Sequence, residues 1–393
     1  KSRSWNVGVN LNFLEEMLQF DFNVYDKKTT DLLMQNRKVP SSTGFSSLSW
    51  ANVGEMENKG WELFFNTNDI CKIGKFSMVV RANVAQNINR INEMDPTVLA
   101  SMNAEFNYTN ENYLSRVQIG NALGGIYGFR YKGVYRFDYD HSGYGKNTDY
   151  TNTAAAAEAS GDNYTCPVAR DANGNIIYDA NGNPRHMIFN YGGVNYEFQG
   201  GDAIYEDINH DGQINELDIV YLGSSNPKIS GGFGFDFKYG RWTLKTNFNF
   251  RIGNKIVNMA LMKAEDMMYN RNQATSVNAR WRKNGDRTDM PRALNSAAAD
   301  GNVYNALASD RYISSGDYLR FQYLQLSYRV PEKFLKKYGL RQLNISASGN
   351  NLIFWSKYSG TDPDHSQSGY GPTIDDAQTP RSRSFTVSLN VGF

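Results

Sequence analysis

The feature that most constrains this chain is an alternation of apolar and polar residues that recurs in long segments along almost its whole length. In the closing stretch SFTVSLNVGF the apolar positions are Phe385, Val387, Leu389, Val391 and Phe393, with Thr386, Ser388, Asn390 and Gly392 between them. Near the start, Trp5, Val7, Val9, Leu11 and Phe13 alternate with Asn6, Gly8, Asn10 and Asn12. A period of two puts successive side chains on opposite faces of a β-strand, so each segment is a strand with one apolar and one polar face. About eleven such segments occur, each of about nine to twelve residues, a length suited to crossing a bilayer at a tilt.

Composition agrees with this reading. Aromatic residues make up 13% of the chain, with 25 Tyr and 22 Phe, and there are 35 glycines. That is a mixture of strand formers and turn formers. Lys and Arg number 41 against 40 Asp and Glu, so no charge excess points to nucleic acid or to an acidic substrate. The two cysteines, Cys71 and Cys166, are far apart and suggest no disulfide framework. No apolar run approaches the roughly 18 residues of a membrane helix. The opening KSRSWNVGVN passes straight into an alternating segment, without a signal-peptide pattern.

Alternation alone fits a soluble β-sandwich as well as a membrane barrel. Strand length and connection length separate them. Sandwich strands are usually about five or six residues long. Here the segments are longer, and Trp5, Phe13, Trp242, Phe385 and Phe393 stand near strand ends, as in the aromatic girdles of a barrel. Links also alternate. LEEM, DICKIGK, NALGG, KYGR and PEKFLKKYGL are short, whereas 34–57, 91–112, 139–228, 253–317 and 351–384 are long. Outer-membrane barrels have short periplasmic turns and long extracellular loops. The expected fold is therefore an all-β transmembrane antiparallel barrel. With a periplasmic C-terminus the first strand descends from outside, so a whole barrel needs further strands upstream. One local expectation is sharper. In YLRFQYLQLSYRV the apolar parity changes between Leu319, Phe321 and Tyr323 and Leu324, Leu326, Tyr328 and Val330, which predicts a β-bulge near Tyr323 and Leu324.

Several stretches together resemble the barrel of SusC-like TonB-dependent transporters of Bacteroidota. They are FNVYDKKTTDLL, TGF, NVGEMENKGWEL, GGIYGFRYKGVY, DINHDGQINELD, SNPKISGGF and SGDYLRFQYLQLSYRVP, in that order. The terminal Phe393, with Phe385, Val387, Leu389 and Val391, resembles the signal read by the barrel-insertion machinery. The resemblance implies that residues 1–393 are the C-terminal part of one 22-stranded barrel domain, of which eleven strands would be half. A plug, a TonB box and the N-terminal strands would lie outside this sequence. It also implies an outer-membrane location, a SusD-like surface lipoprotein as partner, TonB as energy source, and oligosaccharides or peptides as cargo, without enzymatic activity.

One motif carries metal chemistry. DINHDGQINELD places Asp207, Asn209 and Asp211 at positions 1, 3 and 5 of an EF-type calcium loop. Gly212 permits the turn, Gln213 offers its carbonyl, Asn215 acts through water, and Asp218 stands at position 12 in place of the usual Glu. A structural Ca2+ is the expectation, and an Asp-Gly turn in a polar loop is the alternative. DANGNIIYDANGNP repeats after eight residues and reads as an outer β-hairpin. His141, His186, His210 and His365 lack metal-ligand spacing, and no nucleophile elbow or phosphate loop occurs. Trp281, Tyr304, Trp355 and Tyr358 fall in or beside the long loops, where aromatic rings either stack on substrate or pack the loops together. The competing functional classes are a soluble, calcium-stabilised glycan-binding or adhesin protein and a secreted β-rich hydrolase.

Overall fold

Nine of the alternating segments pair into one antiparallel sheet in a computed structural model of the chain. The structure describes residues 1–38, 47–52, 54–68, 70, 72–96, 113, 118–137, 166–191, 194–294, 304–364 and 371–393. The strands are β1 (Ser2–Phe13), β2 (Leu18–Thr29), β3 (Gly54–Thr67), β4 (Phe76–Met94), β5 (Ile229–Tyr239), β6 (Trp242–Ile252), β7 (Tyr318–Arg329), β8 (Gln342–Ser356) and β9 (Ser384–Gly392). Each pairs with its neighbours in sequence, so the sheet is an up-and-down meander open at β1 and β9. Short connections at 14–17, 68–75, 240–241 and 330–341 all fall at one end. The long ones at 30–53, 95–228, 253–317 and 357–383 all fall at the other.

Nine strands, not eleven, make this sheet. YLSRVQIG lies mostly outside the described residues, and its described end is a turn. IYGFRYKGVYRF does not cross with the others, because β4 pairs directly with β5 from Ser230↔Ala85 to Tyr239↔Phe76. That stretch instead forms the short strands Gly125–Gly128 and Tyr131–Val134, which pair within the loops. The physical reason is visible in its burial. Ile126, Tyr127, Phe129, Val134 and Tyr135 are all buried, so its apolar residues fill a core on both sides and do not form one exposed face. Eleven strands would be half of a 22-stranded barrel; the sheet of the described residues has nine.

Register keeps the apolar parity on one face across the whole sheet. One row runs Val9↔Phe22, Phe22↔Leu63 and Leu63↔Val84. Another runs Ala82↔Phe233, Phe233↔Phe248 and Phe248↔Phe321. The rings of Phe233 and Phe248 stack with centroids 4.9 Å apart, and those of Phe248 and Phe321 at 4.5 Å. The parity change in β7 occurs at Gln322, where pairing jumps from Phe321 to Tyr323 against both neighbours. The bulge lies one residue before the expected position, and it returns Leu324, Leu326 and Tyr328 to the apolar face.

Two polar groups on that face are paired within the sheet. The Thr246 hydroxyl donates to the Phe235 carbonyl at 3.2 Å, and Trp61 Nε1 donates to Gln86 Oε1 at 2.9 Å. Hydrocarbon offers no partner to an exposed polar group, so internal satisfaction is what a lipid-facing wall requires.

Candidate functional site

The opposite face of the sheet is an amide and hydroxyl surface whose side chains bond to one another. Asn66 Nδ2 donates to Gln19 Oε1 at 2.9 Å, and Asn89 Nδ2 to Asn58 Oδ1 at 2.8 Å. Tyr25 donates to Asn87 Oδ1 at 3.2 Å. Arg81 and Asp236 form an ion pair at 2.6 Å. Toward the loop end these groups line a hollow of about 420 Å3, bounded by Tyr25, Asn58, Glu62, Asn87, Asn89 and Asn226. Asn89 Oδ1 accepts from the Leu123 amide at 3.0 Å, while Asn226 Nδ2 donates to the Leu123 carbonyl at 2.7 Å. Asn89 of the amide wall thereby holds Leu123 of the 95–228 loop, and Leu123 in turn holds Asn226 near the loop's end. The sequence reading noticed the alternation but singled out none of these residues, because single asparagines in strands carry no motif.

Above this wall the long loops share one core. Its main cluster includes Phe129, Tyr135, Phe189, Tyr196, Phe198, Tyr205, Ile214, Tyr304 and Leu307. A second cluster holds Val257, Met259 and Met262, the last two from a helix over Met259–Glu265 whose N-terminus is capped by Asn258. A buried polar node ties three loop segments together. Asp202, fully buried, accepts from Arg292 Nε at 2.6 Å, from the Tyr196 hydroxyl at 2.7 Å and from Asn305 Nδ2 at 3.1 Å. The Tyr196 ring stacks on Tyr304 at 4.2 Å. A buried charge is tolerable only when paired and hydrogen-bonded, and this one has both.

The last long loop is fixed to the sheet by charge. Arg320 of β7, 2% exposed, meets Asp362 at 2.5 Å, and Asp364 joins Arg251 of β6 at 3.1 Å to Arg381 at 2.9 Å. These partners are 42 residues or more apart for Arg320 and Asp362, so no local pattern announced them.

The EF-type loop is folded on its own side chains. Asp207 Oδ2 accepts from the Gly212 amide at 2.8 Å, and Asp211 Oδ1 from the Gln213 amide at 2.8 Å. Asn209 donates to Asp211 Oδ2 at 2.9 Å, and Gly212 sits at φ +82. Asp218 is fully buried and accepts from the Ile208 and Asn215 amides at 2.8 and 2.9 Å, with Asn215 capping the short 3-10 turn Glu216–Asp218. Burial pushes the Asp218 carboxyl up to about 6, with Asp207 and Asp211 adding repulsion. Burial likewise raises Asp207. No ion pair involves these three carboxylates among the described residues. No group of three His, Cys, Asp or Glu side chains forms a ready cage among the described residues either. The donor set is instead a mixture of Asp, Asn and backbone carbonyl. That mixture suits a hard cation, for which oxygen ligands of either kind serve.

DANGNIIYDANGNP forms two successive tight turns and not one hairpin. Asp171 and Asp179 each accept at 2.8 Å from the amide four residues on, Asn175 and Asn183, and each bonds back to that residue's carbonyl at 2.8 Å. Each half closes on itself because the Asp side chain substitutes for a backbone acceptor within five residues. The first turn faces Asp207 and His210 across a cavity of about 260 Å3.

The four aromatic candidates separate by location. Tyr304 is completely buried, and Tyr358 is buried with its hydroxyl on Asp375 Oδ2 at 2.6 Å. Trp281 is half-buried, covers Gly201 and donates to the Arg136 carbonyl at 3.0 Å. Tyr304 and Tyr358 thus pack the loops together, closed to solvent, whereas Trp281 keeps part of its ring exposed. Trp355, half exposed, lies at the loop end of β8 in register with Leu319, on the apolar face of the sheet. Phe385, Val387, Leu389 and Val391 share that face on β9, with Phe393 just beyond it. His186 is held against the Phe198 carbonyl, and Cys166 is buried. His141, His365 and Cys71 lie outside the described residues.

A family profile described as "TonB dependent receptor-like, beta-barrel" matches residues 1–153. TonB-dependent receptor P3 of Formosa agariphila is 27% identical over 402 residues, covering 100% of this chain and 34% of the relative. TonB-dependent receptor SusC of Bacteroides thetaiotaomicron is 26% identical over 147 residues, covering 36% of this chain and 14% of that protein. Among solved structures, the RagAB peptide transporter aligns with a TM-score of 0.67 at 18% identity, covering 100% of this chain and 35% of that one. The chain spans about a third of the length of the Formosa relatives it matches from end to end. A sheet apolar on one face and amide-rich on the other, with every long loop at one end, accounts for these likenesses, and over its whole length the chain is similar to the β-barrel part of TonB-dependent receptors.

Proposed function

We propose that this chain forms part of the wall and outer loop layer of an importer in the bacterial outer membrane. Oligosaccharides or peptides are the cargo, TonB supplies the energy, and a SusD-like lipoprotein covers the loops. Residues 1–393 act in this reading as the C-terminal part of one barrel domain, with the plug and TonB box outside it. The observation that carries the proposal is the two-faced sheet. Its outward face leaves large apolar side chains uncovered, whereas its inner face is hydrogen-bonding and holds Leu123 of the loops above it. A soluble calcium-stabilised β-protein would have to cover that apolar face, because exposed patches of this extent mark a membrane or partner contact. The RagAB likeness concerns fold alone at its identity level, so it favours neither cargo over the other.

Asp207, Asn209, Asp211 and the Gln213 carbonyl are assigned to a structural Ca2+, with Asp218 as the buried counter-charge. Its charged form is disfavoured by burial, and a divalent cation would offset that cost. The ion would hold the loop that packs on Ala169 beside the first tight turn. The decisive experiment reconstitutes the full-length transporter with its lid and measures TonB-dependent uptake of labelled oligosaccharide and peptide pools. Uptake of one pool assigns the cargo, and uptake of neither in a correctly inserted barrel overturns the proposal.

A further inference from the structure

The apolar face is not evenly filled. At its loop end a groove of about 670 Å3 runs between Phe233, Phe250, Leu319 and Trp355. Its cause is Gly231, which pairs with Phe250 and leaves the face without a side chain there. The Phe250 ring leans into the gap, 3.0 Å from where a Cβ of residue 231 would stand, and that Cβ would also strike the Asn83 carbonyl. The rim toward the loops is polar, formed by Arg251, Asp317, Tyr318, Ser356 and Lys357. Most of this rim is already engaged. Arg251 is paired with Asp364 at 3.1 Å, and the Asp317 carboxylate accepts from the Gly253 amide at 2.6 Å. Lys357, the first residue after β8, is exposed and has no ion-pair partner among the described residues. Among the lining residues Arg251 and Lys357 stand against Asp317, which leaves a net positive charge.

We propose that this groove is a binding site for one anionic lipid of the outer leaflet. An acyl chain lies between Phe233, Phe250, Leu319 and Trp355, and the headgroup phosphate meets Lys357. The inference rests on the reading that the apolar face meets the membrane. Position and charge both select this occupant. The groove lies at the loop end of the strands, where a barrel meets the headgroup region. There a Trp ring sits at the interface and a Lys stem lies along apolar surface with its ammonium in water. A zwitterionic lipid would fill the hollow yet leave Lys357 without a net counter-charge, and a soluble peptide would leave the apolar walls half wet.

The test uses the full-length transporter in nanodiscs of phosphatidylcholine containing a minor fraction of phosphatidic acid. Lipid retained per transporter after extraction is counted by mass spectrometry. Wild type is expected to retain one phosphatidic acid in preference to phosphatidylcholine. Lys357→Gln should reduce that preference about fivefold, the worth of one lysine near an anionic surface. Leu319→Trp, which fills the groove, should remove retention altogether, and Lys337→Gln at the opposite end should change nothing. Equal retention by wild type and Lys357→Gln, or phosphatidylcholine held as firmly as phosphatidic acid, overturns the site. A transporter that inserts normally without anionic preference refutes the groove alone, whereas one that never enters the nanodisc refutes the lipid-facing reading beneath it.

Discussion

The nine-stranded sheet and the loop layer above it are built from the same residue types and handle them in opposite ways. In the sheet, Phe385, Val387 and Leu389 are 77%, 75% and 67% exposed, and of the buried hydrophobic residues only Ile91 and Tyr318 belong to its strands. In the loops, Phe189, Phe198, Ile214 and Tyr304 are sealed from solvent. The difference is what the proposed membrane setting requires, in which the two regions answer to different solvents. Loops meeting water must bury their aromatic residues, and they do so around a core joined by Asp202 and Arg292. A wall meeting hydrocarbon gains nothing by hiding such residues, because lipid is as apolar as leucine. Its constraint is instead that each backbone polar group be paired, which the ladder achieves for the strands between the two edges β1 and β9.

If the two regions are stabilised separately, damage to one should spare the other. The largest effect is expected from Asp202→Ala. It strands the Arg292 guanidinium in the loop core and should cost the loop layer about 3–5 kcal/mol. Limited proteolysis should then cut within the loop stretches 194–228 and 253–308 while the heat-modifiable mobility of the assembled barrel is retained. Loss of assembly instead would mean that the loop core nucleates the sheet.

The converse change is Leu389→Arg in β9. Charge on the lipid face near mid-membrane should cost about 2–4 kcal/mol, whereas Ser388→Arg on the other face should be nearly silent. Equal losses in an assembly assay would remove the assignment of faces. A milder effect is expected from the pair Asp207→Ala and Asp211→Ala, or from chelation of the wild type. Either should raise hydrogen exchange at 207–218 and around Ala169 while leaving β4 and β5 protected. Identical exchange with and without added Ca2+ would dismiss the ion. The smallest change is Trp242→Leu, at the turn end of β6. It keeps apolar area but removes the ring pair with Tyr328, whose centroids are 4.6 Å apart, and should cost about 1 kcal/mol in a barrel-unfolding titration.

Legibility followed the range of the interactions. The bulge could be read because a one-residue phase slip in β7 is written into consecutive positions, and it was found at Gln322, one residue from the expected place. The short turn at Gly240 was readable for the same reason, since its geometry is settled by adjacent residues. IYGFRYKGVYRF misled because alternation records only that apolar residues recur, and a segment buried on both sides can alternate too. Tyr304 and Tyr358 were candidates for stacking on substrate because they fall in long loops. Their partners Tyr196 and Asp375 decide otherwise.

What the sequence determined by itself was therefore the chemistry of each face: strands apolar on one side, amide-rich on the other, joined alternately by short and long links. Those properties are local, set by the pleat of a strand and by the conformations a turn residue permits. Only the tertiary structure decided which segments join the sheet, and which aromatic residues are sealed away. It alone brings Arg320 to Asp362, Arg292 to Asp202 and Leu123 of the 95–228 loop to the amide wall. Such contacts join residues tens to more than a hundred positions apart, as between Asp202 and Asn305. A charge or amide in an unpaired segment carries no mark of its partner, because the partner is chosen by burial, and burial exists only once the strands have been laid side by side.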